Sequence, residues 1–137
     1  MNILYPVFAM TGLTFFVVAR LGFLRYLAVR RGEVDPRFFS LYRGYDEPEK
    51  LALYSRHVVN HFEAPVLFYV ICIIAFITDQ SGVAAFGLAS LYVGLRYVHS
   101  YVHLTSNIVI VRFRVFVFSM ITLAALWAVV LTGVMRQ

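Results

Sequence analysis

The sequence predicts an all-α membrane protein: four transmembrane helices in an up-down bundle, forming one domain over residues 1–137. Three observations carry this. The chain is 61% hydrophobic and 14% charged, whereas a soluble domain averages roughly 45–50% apolar and 25% charged. A span needs about 20 mostly apolar residues, so 137 residues leave room for four spans. The connections are short, which sets successive helices antiparallel. No soluble portion is large enough for a separate catalytic domain, and no nucleic-acid partner is expected. The partner is the lipid bilayer.

The first span is read at residues 3–29, with Gly12 and Gly22 interrupting it and Arg20 and Arg25 entering its end. Such arginines snorkel to the interface. No basic stretch precedes Ile3, which argues for a retained span rather than a cleaved signal peptide. A loop follows from Arg30 to Tyr45, broken by Gly32, Pro36 and Gly44, with Phe38, Phe39, Tyr42 and Tyr45 as interfacial aromatics. Asp46, Pro48 and Glu49 have the spacing of a helix start with a capping box. The second span is read at 50–78, longer than a bilayer requires. Pro65 lies inside it and removes the hydrogen bond to the carbonyl of His61. The turn Asp79-Gln80-Ser81-Gly82 leads to a third span at 83–111, and a fourth follows at 113–135. Cys72 is alone, so no disulfide forms within the chain, and it reads as a small buried hydrophobe.

The net charge of +5 is unevenly placed. Arg20, Arg25, Arg30, Arg31, Arg37, Arg43, Lys50 and Arg56 cluster around the first connection. The second connection has no Lys or Arg, and the third has Arg112 and Arg114. The positive-inside rule then puts the first and third connections in the cytoplasm and both termini outside. Most of these arginines are accounted for by orientation and contact with anionic lipid.

Two polar clusters interrupt the apolar runs, one from Arg56 to Pro65 and one from Arg96 to His103. They contain all four histidines of the chain and Glu63. Ionisable groups at membrane depth are costly and face a bundle interior or a wet cavity. Residues three and four apart share a helix face. Arg56, Asn60 and Glu63 make one such set, and His57 and His61 another. Arg96, His99, His103 and Asn107 make a third, with Tyr97 and Tyr101 on a different face. Three readings are open. The residues can be interhelical hydrogen-bonding glue. They can form a pocket for a zwitterionic or anionic ligand, since arginine forks bind carboxylates and Glu63 meets an amine. The two His-x-x-x-His pairs can instead hold a metal ion or haem. Glu63 is expected to be ionised and paired with Arg56, because an isolated buried carboxylate costs too much.

A double arginine at the end of the first span, Arg56-x-x-x-Asn60-x-x-Glu63 followed by Pro65, and the spacing of Tyr97 and Tyr101 resemble the MAPEG superfamily, the membrane-associated proteins in eicosanoid and glutathione metabolism. The likeness covers nearly the whole chain and suggests a divergent, bacterial-type branch in an inner membrane. It implies a homotrimer with glutathione as thiol co-substrate between protomers and a lipophilic small molecule as second substrate, in a transferase or peroxidase reaction. By resemblance, Arg56, Asn60 and Glu63 hold the glutathione, Tyr97 and Tyr101 line the site, and Arg30 or Arg31 stabilises the thiolate. An alternative is a binding or structural subunit without catalysis. The arginine that several members carry about seven residues after the second tyrosine has no counterpart here, where Ser106, Asn107 and Ile108 stand.

Overall fold

The computed structural model describes residues 2–42 and 47–136, except the side chain of Leu41. It is all-helical: α1 (Leu4–Arg30), a short α2 (Phe38–Leu41), α3 (Glu49–Ile77), α4 (Val83–Leu104) and α5 (Val109–Val134). Three of these, α1, α3 and α5, are long and apolar enough to cross a membrane. Helix α4 has 22 residues, but Arg96, His99, Ser100 and His103 dilute its apolar content.

Helix α1 runs unbroken through Gly12 and Gly22. Each glycine costs a helix roughly 1 kcal/mol relative to alanine, too little to interrupt a helix of 27 residues. Its buried residues, Pro6, Met10, Leu13, Val17 and Leu21, recur every three or four positions and make one stripe. The opposite face is also apolar, with Tyr5, Phe8, Phe15 and Phe16 exposed, as expected of a helix whose other neighbour is lipid.

Helix α3 continues through Pro65, which is buried within it. The expected cap at Asp46 lies outside the described residues, as do Arg43, Gly44 and Tyr45. Pro48 stands at the N-cap in extended backbone. At the far end Asp79 takes a left-handed conformation (φ 56°), and the Gln80 amide donates to the Ala75 carbonyl at 2.8 Å. These close the turn into α4.

Helix α4 ends at Leu104, and Val109–Val111, read from sequence as part of the third span, open α5 instead. Asn107 makes the break. It adopts the left-handed region (φ 46°), which asparagine tolerates better than most residues, and its amide donates to the Val102 carbonyl at 2.7 Å.

Helix α1 packs along α3 and α4, while α5 packs along α4 and α3. The common core holds Met10 and Val17 of α1, Phe68 and Ile71 of α3, Ala89 and Tyr92 of α4, and Leu126 and Val130 of α5. Phe68 stacks on Tyr92 with ring centroids 4.8 Å apart. In lipid such packing is held by dispersion rather than by exclusion of water, and small residues let helices approach. Ala75, Ala85 and Ala89 are buried at these contacts.

The loop after α1 is folded back on the helix ends. Leu21, Ala28, Val34, Phe38, Leu51 and Tyr54 form a second apolar cluster. Arg25 binds it to α3: its Nη2 donates to Ser55 Oγ at 3.3 Å, and its guanidinium lies 5.3 Å from the Phe39 ring centroid and 5.8 Å from that of Tyr42. Ser55 in turn donates to Glu47 at 3.0 Å. Three of the aromatics read as interfacial, Phe38, Phe39 and Tyr42, thus form an arginine-clamped cap, with Phe38 buried and Tyr42 exposed, while Tyr45 lies outside the described residues.

Candidate functional site

The polar residues of α3 and α4 divide into a buried core between the helices and an open groove beside it. Helical spacing places them. On α3, His57 and His61 fall on the inward stripe with Tyr54, Ala64 and Phe68. On α4, Arg96, His99 and His103 fall on the inward stripe with Ala89 and Tyr92.

Arg96 is fully buried. Its Nη2 donates to the backbone carbonyl of Asn60 at 3.1 Å, while Nε and Nη1 have no hydrogen-bond partner among the described residues. No carboxylate among the described residues forms an ion pair with it. His61 is fully engaged. Its Nδ1 lies 3.2 Å from Thr14 Oγ1 of α1 and its Nε2 lies 3.3 Å from Ser100 Oγ of α4, so one imidazole joins three helices.

His57, His99 and His103 behave differently. All three are buried, at 0%, 3% and 2% exposure, and none of their six ring nitrogens is hydrogen-bonded to the described residues. The Arg112 backbone comes near the His99 ring but outside hydrogen-bond geometry. The His57 and His103 ring centroids are 4.5 Å apart. His99 lies 6.0 Å from His57 and 5.8 Å from His103.

Beside this core a groove of about 470 Å³ is lined by Arg56, Val59, Asn60, His103, Asn107, Val109 and Arg112. Arg112 Nη1 donates to Asn107 Oδ1 at 2.8 Å, which fixes the guanidinium on the groove wall. Two exposed or half-exposed arginines and two amides make this a basic, hydrogen-bonding surface suited to carboxylate groups. On the other side of α4 a second groove, about 500 Å³, is mainly apolar and is lined by Gly12, Phe16, Tyr54, Tyr97, Tyr101 and Leu104 among others.

Of the residues singled out from sequence, Arg56 and Asn60 therefore line the basic groove, and Tyr97 and Tyr101 line the apolar one. Tyr97 donates its hydroxyl to the Ala9 carbonyl of α1 at 2.9 Å. Arg30 and Arg31 lie at the exposed end of α1. Arg31 is 3.9 Å from Glu33 in an exposed pair and borders a separate, smaller groove with Ala28, Lys50 and Leu51.

The expected pair of Glu63 with Arg56 is not formed within the chain. Glu63 is exposed, and it makes no ion pair with the described residues. The reason is geometric. Residues seven positions apart share a face but lie two turns from each other, about 10 Å along the axis, and both side chains are exposed. Asn107 was read with Arg96, His99 and His103 on one face of a third span, and Arg112 as a residue of the third connection; the structure brings both to the groove wall with Arg56 and Asn60. The signal was the Asn107-x-x-x-x-Arg112 pair beside a turn-forming asparagine.

A model described as the MAPEG family matches residues 3–132. Among curated proteins and solved structures, no match to the chain was found.

Proposed function

Because this chain belongs to the MAPEG family, we propose that it is a four-span homotrimeric membrane protein that binds glutathione or a similar thiol and brings it to a lipophilic electrophile or hydroperoxide. The basic groove of Arg56, Asn60, Asn107 and Arg112 carries this reading. It offers guanidinium forks to the two carboxylates of the tripeptide and amides to its peptide bonds. A thiolate is favoured beside such cations.

The two grooves lie on different sides of α4, one shared with α3 and α5, the other with α1. A single chain thus presents its basic and apolar surfaces in different directions. In a cyclic trimer the apolar groove of one protomer adjoins the basic groove of the next, and the exposed Glu63 of α3 reaches the ligand amine from that boundary. Arg30 or Arg31 reaches the thiol from the end of α1. The arginine-rich connection sets this end of the molecule in the cytoplasm, with both termini outside, in a bacterial-type inner membrane. The lipophilic substrate enters from the bilayer.

Calorimetric titration of detergent-purified protein with glutathione tests the reading. Arg56→Ala should weaken binding by about 1.5–3 kcal/mol and Asn60→Ala by nearer 1 kcal/mol, the worth of a charged and a neutral hydrogen bond. Absence of saturable binding, or binding indifferent to both substitutions, refutes it.

A second reading, a binding subunit without turnover, is favoured by one feature. After Tyr101, where several members of the family carry an arginine, this chain has the Thr105–Ser106 turn followed by Asn107 and Ile108. Glutathione binding without consumption of any electrophile or hydroperoxide selects this alternative.

A further inference from the structure

We propose that His57, His99 and His103 form a binding site for one first-row transition-metal dication, zinc(II) foremost, between α3 and α4. The inference does not rest on the thiol reading above. It starts from three imidazoles that are buried and whose ring nitrogens have no hydrogen-bond partner among the described residues. Buried polar groups are ordinarily satisfied, and three orphaned imidazoles at one point call for a shared ligand. One nitrogen from each ring lies within 4.8 Å of the other two.

The geometry suits coordination. His99 and His103 stand at i and i+4 on α4, the spacing at which one helix face offers two imidazoles to one ion, and His57 faces them from α3. Zinc–nitrogen bonds of about 2.0–2.1 Å in a tetrahedral site place the nitrogens roughly 3.3 Å apart. The rings therefore need to draw together by about 1.5 Å at most, which side-chain torsions supply. The donor set selects the class of ion. Three neutral imidazoles without a carboxylate or thiolate suit zinc, copper, nickel or iron(II), not magnesium or calcium.

Access and charge are both provided for. His103 lines the basic groove, and His99 lines an adjoining space of about 240 Å³ with Asn60, Arg112 and Phe116. The fourth coordination position thus opens toward solvent on the side of Arg112. The buried Arg96 guanidinium, one turn from His99 on α4, opposes a second cation. An anionic fourth ligand offsets this: hydroxide, which a zinc ion generates from water near neutral pH, or a solute anion drawn in by the arginines. His61 is outside the site, since Thr14 and Ser100 already occupy both its nitrogens.

The test uses the full chain, purified in detergent, stripped with chelator and dialysed against zinc(II) or cobalt(II) without thiol. One zinc per chain is expected, with cobalt(II) giving the intense visible ligand-field bands of a tetrahedral site. His57→Ala, His99→Ala and His103→Ala should each weaken zinc binding at least about 100-fold, beyond the 10–100-fold typical of losing an outer-shell partner. His61→Ala should retain it. Should the alanine variants fail to fold, His103→Cys decides: it keeps a ligand, retains the metal and adds a sulfur-to-cobalt charge-transfer band. The natural chain should lack that band, as its Cys72 lies in the apolar core. Zinc at substoichiometric levels, equal loss in His61→Ala, or no charge-transfer band in folded His103→Cys overturns the proposal. So does stabilisation by sulfate through these histidines without zinc uptake, which would make the cluster an anion site.

Discussion

Replacing Arg96 by methionine should leave the protein as stable as the natural chain or more so, although Arg96 is the largest fully buried side chain. The substitution removes one hydrogen bond from a charged donor, to the Asn60 carbonyl at 3.1 Å, worth about 1.5–3 kcal/mol. That carbonyl keeps its helical partner, since α3 is continuous there. The substitution also removes two buried nitrogens, Nε and Nη1, that lack partners among the described residues. Each such group costs roughly 1–3 kcal/mol. The midpoints of these ranges favour methionine by about 2 kcal/mol, in line with the effect of replacing buried ions by apolar side chains of similar volume. Methionine's unbranched chain fills the space. Arg96→Ala, by contrast, opens a cavity and should destabilise by about 2–5 kcal/mol, on the scale of other large-to-alanine changes in cores. Reversible unfolding in mixed micelles with increasing SDS, followed by helical circular dichroism, measures both. A loss of more than about 2 kcal/mol in Arg96→Met would refute the reasoning: the guanidinium would then be paired in the native state, and the cost assigned to its orphaned nitrogens would be wrong.

Three further outcomes are expected. Phe68→Ala, which removes a fully buried ring stacked on Tyr92, should lower unfolding stability by about 3–5 kcal/mol in the same assay, whereas Glu63→Gln, at an exposed position, should change it by under about 0.5 kcal/mol while weakening glutathione binding. A cysteine placed at Ser40 should be shielded from impermeant thiol reagents applied outside intact cells; labelling there would reverse the proposed topology. Native mass spectrometry should release a trimer from detergent, and a stable monomer would remove the site shared between protomers.

Membrane residence, helix type and family were legible along the chain because each is a one-dimensional property. A span is a run of apolar residues, and an inward face is a repeat of three and four. The split between His99 and Tyr97 on α4 follows from such spacing alone, whereas the buried stripe of Met10, Leu13, Val17 and Leu21 does not, because the opposite face of α1 is also apolar. The α4–α5 boundary was harder to read. Val109–Val111 are apolar and continue the pattern of α4, and the break depends on the single left-handed residue Asn107. The arginine clamp on the loop was also beyond reach, because Arg25, Phe39 and Ser55 are brought together only when α1 and α3 pack.

Within the site, spacing alone determines that Arg56, Asn60 and Glu63 share a face, and that His57 and His61 share another. Packing alone determines what each face meets. The same i, i+4 relation holds for two histidine pairs, yet it leaves His61 hydrogen-bonded to Thr14 and Ser100 and gathers His57 with His99 and His103. Spacing fixes an angle around one helix axis. Depth along that axis, and the neighbour at that depth, are set by how α1, α4 and α5 lie against α3, and no local pattern encodes them. Glu63 and Arg56 show the same division: one face, two turns apart, and therefore no pair within the chain.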